Sequence, residues 1–143
     1  MDRTPKDISR TARSPRGWWR FAALAWAALI FAGSSVPGGT APGRFGFLAH
    51  YLEYAVLGWM LAASSNDDEP AALVTALALG GAYAATDELH QAFVPRRMPD
   101  PLDLLVDIAG VITGALLHAG VRMLLSRYHS AQRSGRRLRA DAP

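Results

Sequence analysis

The sequence predicts an all-α fold, an integral membrane bundle of four transmembrane helices. Four long apolar runs along the 143 residues lead to this prediction, because each approaches the roughly 20 apolar residues that an α-helix needs to cross a bilayer. Both ends of the chain are basic, which is typical of the flanks of membrane spans. Two of the runs, at residues 22–33 and 71–85, lack the regular polar stripe of a soluble amphipathic helix. A soluble helical bundle is therefore the weaker alternative.

Each run is bounded by segments that favour an end to the helix. Residues 1–17 have almost no large apolar side chain, and we interpret them as a disordered basic cytoplasmic arm. A cleaved signal peptide is an alternative for this leader and the run after it, although the further runs argue against it. Prolines 95, 99 and 101 break the chain before the fourth run, and a basic cytoplasmic tail occupies residues 126–143. The predicted spans are residues 18–36, 45–63, 71–93 and 102–125, within a membrane domain over residues 18–125.

The distribution of charge predicts the orientation in a bacterial plasma membrane. An even number of spans places both termini on the same side, and the positive-inside rule places basic termini in the cytoplasm. Residues 37–45 and 94–101 then face outward, and the acidic turn after the second run faces the cytoplasm. Basic flanks of this kind meet anionic lipid headgroups.

Composition also excludes several kinds of site. The chain has no cysteine, which excludes disulfides, thiolate metal sites and a cysteine nucleophile. The net charge of +3 does not indicate nucleic-acid binding, because the basic residues occupy the terminal segments rather than a face interleaved with aromatic residues. There is neither a phosphate-binding glycine loop nor an HExxH motif. The sequence indicates no particular metal, cofactor or catalytic residue.

Polar residues of all four runs fall toward their outward ends. Ser34 and Ser35 end the first run, and residues three or four apart share helix faces in the other three. Gly110 and Gly114 follow Asp107 at helical spacing and would allow close helix approach. Ionisable groups inside a span are costly unless they are paired or face a wet cavity, so they form a candidate functional site. The candidate polar cluster is His50, Glu53, Tyr54, Asp87, Glu88, His90, Gln91, Arg97, Asp103 and Asp107.

Within this cluster the spacing suggests particular partners. Glu53 could neutralise His50 at i, i+3, and Arg97 is expected to fold back toward Asp87 or Asp103 as a counter-ion. Two alternatives stay open. The polar residues could form a hydrogen-bond network that only holds the helices together, or they could point separately into the headgroup region.

These residues together resemble the VanZ-like family of bacterial membrane proteins, over about residues 30–120. The similarity lies in the Ser-Ser-Val-Pro-Gly turn at 34–38, in the block at 87–95, and in single positions on the second and fourth runs. Phe47 stands where many members carry lysine, Arg96 where glycine is common, and Asp107 where asparagine is common. The single positions are His50, Glu53, Tyr54, Leu57, Gly58, Arg97, Asp103, Asp107 and Gly110.

The resemblance implies an envelope protein but not one activity. The family is named for an accessory protein of teicoplanin resistance, and membership does not by itself fix function. We expect an accessory protein that binds a lipid-linked or anionic headgroup of the cell envelope at the outer face, with Arg97 pairing with phosphate or carboxylate. The alternative is an intramembrane hydrolase or transferase acting on lipid-linked phosphate or glycopeptide-type substrates, with His50 or Glu88 as general base and carboxylates holding a divalent metal. A carrier is less favoured because no polar path crosses the midplane, unless the protein forms an oligomer.

Overall fold

A computed structural model describes residues 15–37, 44–65, 69–98 and 100–140, and within these ranges the chain is helical without a strand. The elements are α1 (Pro15–Ser34), α2 (Arg44–Ser64), α3 (Glu69–Gln91) and α4 (Pro101–Ala140). The predicted all-α fold with four helices is confirmed. The expected disordered arm, apart from its last three residues in α1, lies outside the described residues, as do residues 38–43 and the turn at 66–68.

Helix α4 is much longer than the predicted fourth run. The run ends at Leu125, whereas α4 has 40 residues and continues to Ala140. At about 1.5 Å per residue it is about 60 Å long, roughly twice the thickness of the hydrocarbon layer. The helix continues because residues 126–140 contain no proline to interrupt it. Residues 121–133 are exposed throughout, so this part of α4 extends away from the bundle.

Helix α2 lies at the centre of the bundle and packs against the other three helices, whereas α1 and α3 barely meet. Glycines allow its close packing against α4. A Cβ atom on Gly110 would lie 2.5 Å from the Tyr51 carbonyl oxygen, and one on Gly114 would lie 2.8 Å from the Trp59 nitrogen. No side chain fits at these distances, so the two backbones are in direct contact. The predicted role of Gly110 and Gly114 is confirmed.

The outer surface of the bundle is strongly apolar. Large side chains of α1 such as Trp18, Phe21 and Leu24 are each more than 70% exposed. An apolar surface of this extent favours lipid over water as the surroundings. Among the described residues, one helical segment, Pro101–Arg133, is long and apolar enough to cross a membrane, and an 18-residue stretch within it has mean hydropathy 1.9. Charged and polar residues near the ends of α1, α2 and α3 lower their hydropathy, so four spans stay a prediction.

Candidate functional site

Asp87, in the last turns of α3, is the acceptor at which three helices meet. Its side chain is buried, with 2% exposed. Oδ1 accepts a hydrogen bond from Ser34 Oγ of α1 at 2.6 Å, and Oδ2 accepts one from the Tyr54 hydroxyl of α2 at 3.3 Å. Gln91, one turn further along α3, donates from Nε2 to the same Oδ2 at 3.1 Å. Three donors satisfy this buried carboxylate and fasten α1 and α2 to α3.

Arg97 lies beyond the end of α3 and reaches Asp87 only through Gln91. Its Nη1 donates to Gln91 Oε1 at 2.9 Å. Its Nε and Nη2 donate to the backbone carbonyls of Val36 at 3.4 Å and Gly33 at 3.5 Å, at the end of α1. The guanidinium therefore closes the α1–α3 contact at the end of α1.

The expected direct ion pair of Arg97 with Asp87 or Asp103 is wrong. The side chain folds back as expected, but within the described ranges it bonds neutral acceptors rather than a carboxylate. The physical reason is that Gln91 lies one turn closer to the loop than Asp87 and intercepts the guanidinium. Three of the five N–H donors of Arg97 are used in these bonds, and two are left.

His50 of α2 pairs with Asp107 of α4, across the interface that the glycines bring together. His50 Nδ1 lies 3.1 Å from Asp107 Oδ1. The spacing in the sequence suggested Glu53 as the partner of His50, and the structure replaces it with Asp107. Asp107 is 1% exposed, and its Oδ2 is buried without a hydrogen-bond partner among the described residues. This oxygen has unused capacity to accept a hydrogen bond.

His90 contacts the end of α1. Its Nε2 lies 3.0 Å from Ser35 Oγ, and its ring stacks on Phe31 with centroids 4.3 Å apart. Ser35 Oγ also lies 2.7 Å from the Phe31 carbonyl oxygen, to which it donates. The pair His90–Ser35 therefore joins α3 to α1 beside the Asp87 network.

Glu88 fastens the loop before α4. Its Oε1 accepts a hydrogen bond from the Asp100 backbone nitrogen, while its Oε2 is buried and has no partner in the described part of the chain. Like Asp107, Glu88 thus has one oxygen that could accept a further hydrogen bond.

Glu53 and Asp103 connect the two halves of the cluster through their charges. The charge of Glu53 interacts with those of Asp107 and Arg97. The charge of Asp103 interacts with those of His50 and Arg97. The Asp87 network and the His50–Asp107 pair therefore share one electrostatic environment, at the end of the bundle where α3 ends and α4 begins. The ten candidate residues lie together in this region.

The donor geometry does not favour a metal centre in the described part of the chain. There, no group of three His, Asp or Glu side chains is placed to hold a metal ion. The contacts that the structure shows between these side chains are hydrogen bonds.

Two residues of the network, Ser34 and Ser35, were not among the candidates. The signal for them was their position at the outward end of the first run, beside the other polar residues. A serine at a helix end also bonds its own backbone, as Ser34 Oγ does to the Phe31 carbonyl at 3.0 Å. Serine alone therefore carries little information about a contact between helices.

Comparison with known proteins identifies the family. Residues 16–124 match the family described as VanZ/LLP1. The chain belongs to this family. The match includes every residue of the polar cluster and confirms the resemblance noted in the sequence. Neither the curated proteins nor the solved structures contain a significant match.

Membership of the VanZ/LLP1 family, together with the apolar helix α4, indicates a membrane protein. The structure also shows why glycine suits one position at which this chain departs from the VanZ-like pattern. Arg96, at the position where glycine is common, has φ of 63°. This left-handed conformation costs a residue with a Cβ atom about 1–2 kcal/mol and costs glycine almost nothing.

Proposed function

We propose that this VanZ/LLP1 protein is an accessory protein of the cell envelope that binds a lipid-linked or anionic headgroup through the polar cluster. In this proposal all four helices cross the plasma membrane, both termini are cytoplasmic, and the cluster opens to the outer surface. The shared direction of the polar ends supports it, because Asp87, Arg97 and Asp107 come from different segments and lie in one region.

The observation that carries the proposal is the unsatisfied capacity of a buried network. A cluster that serves only to hold helices together should satisfy its buried polar atoms, because an unpaired one costs about 1–3 kcal/mol. Asp87 fits that purely structural reading, since it has three donors. Asp107 does not, because its Oδ2 is buried and unpartnered among the described residues.

The unused hydrogen-bonding groups of the cluster also indicate the chemistry of the ligand. Asp107 Oδ2 and Glu88 Oε2 can each accept a hydrogen bond, so the ligand should carry hydroxyl or amino donors. Arg97 has two N–H donors left, and guanidinium binds phosphate or carboxylate in charge-assisted pairs. A phosphate-linked headgroup with hydroxyl or amino groups satisfies both requirements.

The proposal can be tested by identifying the lipids that stay bound during gentle purification from bacterial membranes. Native mass spectrometry of the wild type should show an adduct with an anionic, hydroxyl- or amine-bearing headgroup. Arg97→Gln should lose most of it, because glutamine has neither the charge nor the fork of donors. The matched control is Arg133→Gln, which removes an exposed arginine of α4 far from the cluster.

The control should retain the adduct at the wild-type level. Equal retention by wild type, Arg97→Gln and Arg133→Gln would show that the cluster does not select the bound lipid. Loss of the adduct from both variants would show non-specific attraction of anions, and it would equally contradict the proposal.

A hydrolase or transferase is the second candidate, and one contact favours it. Ser35 Oγ lies 3.0 Å from His90 Nε2, which is the distance between a hydroxyl nucleophile and its general base. However, Ser35 also donates to the Phe31 carbonyl at 2.7 Å, which competes with donation to His90. A fluorophosphonate probe distinguishes the candidates. An enzyme should be labelled at Ser35 and not in His90→Ala, whereas a binding protein should not be labelled at all.

A further inference from the structure

A cavity lies at the other end of the bundle from the polar cluster. It has a volume of about 530 Å³ and opens between α1 and α3, with α2 as its floor. This volume is within the range of about 300–1,000 Å³ that is usual for small-ligand sites. The cavity exists because α1 and α3 diverge and barely meet. Its apolar wall consists of Ala23, Leu24, Ala27, Leu57, Leu61 and Leu79.

The mouth of this groove is polar and positively charged. Arg20 of α1 and Ser64 at the end of α2 line it there. Arg20 Nε donates to the Ser64 carbonyl at 3.3 Å, which holds the guanidinium across the opening. Within the described residues Arg20 forms no ion pair. Its two terminal nitrogens therefore have donors available for an anion.

We propose that this groove binds one anionic phospholipid, with an acyl chain along the apolar wall and the phosphate on Arg20. An apolar groove that ends in a guanidinium matches a molecule with an apolar tail and an anionic head. Guanidinium binds phosphate oxygens in a bidentate manner. In the sequence Arg20 also follows Arg10, Arg13 and Arg16, and basic segments of this kind favour the anionic cytoplasmic leaflet. This site is independent of the headgroup site in the polar cluster.

The test uses the full-length protein with Arg97→Gln in every sample, so that the polar cluster no longer binds anionic headgroups. The protein is delipidated in a mild non-ionic detergent and titrated with phosphatidylglycerol or phosphatidylcholine in native mass spectrometry. Two variants probe the two halves of the groove. Arg20→Gln removes the positive charge at the mouth. Leu79→Trp fills the groove, and the fold should tolerate this larger side chain because Leu79 is 55% exposed. Arg127→Gln, on the exposed part of α4, is the matched control for loss of one arginine.

The protein with an intact groove and Arg127→Gln should bind one phosphatidylglycerol tightly and phosphatidylcholine about tenfold more weakly, because only the former carries net negative charge. Arg20→Gln should lose about tenfold in affinity for phosphatidylglycerol and with it the preference between the lipids. Leu79→Trp should bind both lipids weakly while Arg20 is intact. Melting temperatures of the unliganded variants, measured by intrinsic fluorescence, should agree to within a few degrees.

Several results would overturn the proposal. One is equal binding of the two lipids by the protein with an intact groove, and another is an Arg20→Gln variant that binds like Arg127→Gln. A lipid-free dimer that Leu79→Trp disrupts would show that the groove is filled by a second copy of the chain instead. None of these results bears on lipid retention at Arg97, so failure here leaves the function proposed for the polar cluster intact.

Discussion

The hydrogen bonds to Asp87 allow a quantitative prediction for Asp87→Ala. Removing the carboxylate leaves three donors without their acceptor. Ser34 loses least, because its hydroxyl also bonds the Phe31 carbonyl at 3.0 Å. The hydroxyl of Tyr54 and the amide of Gln91 are stranded in residues that are at most 3% exposed.

Stranding a buried donor costs about 1–3 kcal/mol, and hydrogen bonds between membrane helices contribute about 0.6 kcal/mol on average and about 1.7 at most. The two figures together place the loss for Asp87→Ala at about 2–4 kcal/mol. The matched control is Thr86→Ala, one residue earlier on α3. Among the described residues its exposed hydroxyl bonds only to the Tyr83 carbonyl, at 2.7 Å, so the effect of Thr86→Ala should be within about 0.5 kcal/mol.

The measurement is reversible unfolding in mixed micelles, followed by tryptophan fluorescence. A double-mutant cycle with Ser34→Ala isolates the contact between α1 and α3, with an expected coupling energy of about 1 kcal/mol. If Asp87→Ala were no less stable than Thr86→Ala, or if the coupling energy were zero, Asp87 would not be the acceptor that joins three helices.

Three further predictions concern packing, backbone strain and topology. Gly114→Ala should destabilise the protein by about 1–3 kcal/mol, because the added methyl group would clash with the α2 backbone. Gly120→Ala, on the same helix, meets open space and should be neutral or stabilising. Equal unfolding curves for the two variants would contradict this prediction. Arg96→Gly should stabilise by about 1 kcal/mol in the same assay, because its φ of 63° suits glycine, and a loss of stability would count against backbone strain there. The chain has no cysteine, so a single introduced cysteine reports on one position. Met98→Cys should react with an impermeant maleimide in intact spheroplasts, whereas Ser130→Cys should react only after permeabilisation. The reverse pattern would show the opposite topology.

Most of the fold follows from one-dimensional patterns. The apolar runs predict four helices because backbone hydrogen bonds must be satisfied within each segment in an apolar environment. The contact at Gly110 and Gly114 follows from helical spacing, since residues four apart share one face. The extension of α4 to Ala140 could not be seen in this way, because hydropathy marks where a span ends and not where a helix ends.

The membership of the cluster was predictable, but its pairing was not. Spacing along one helix favoured Glu53 as the partner of His50, whereas the partner in the structure, Asp107, lies on another helix. Which side chains meet across an interface depends on the rotation of each helix about its axis. In α2 and α4 that rotation is set by glycine contacts. Arg97 was predicted to fold back, but its acceptor, Gln91, is a local feature of how α3 ends.

The measurement that tests the proposed headgroup site most directly is an experimental structure of the protein in nanodiscs with its native lipids retained. The polar cluster should open to the outer surface and contain density for a headgroup. That density should lie within hydrogen-bond distance of Asp107 Oδ2 and of a free Arg97 nitrogen, while Asp87 keeps its three protein donors. Density there for protein atoms alone, or His50, Asp87 and Asp107 turned separately toward lipid, would contradict a shared ligand site.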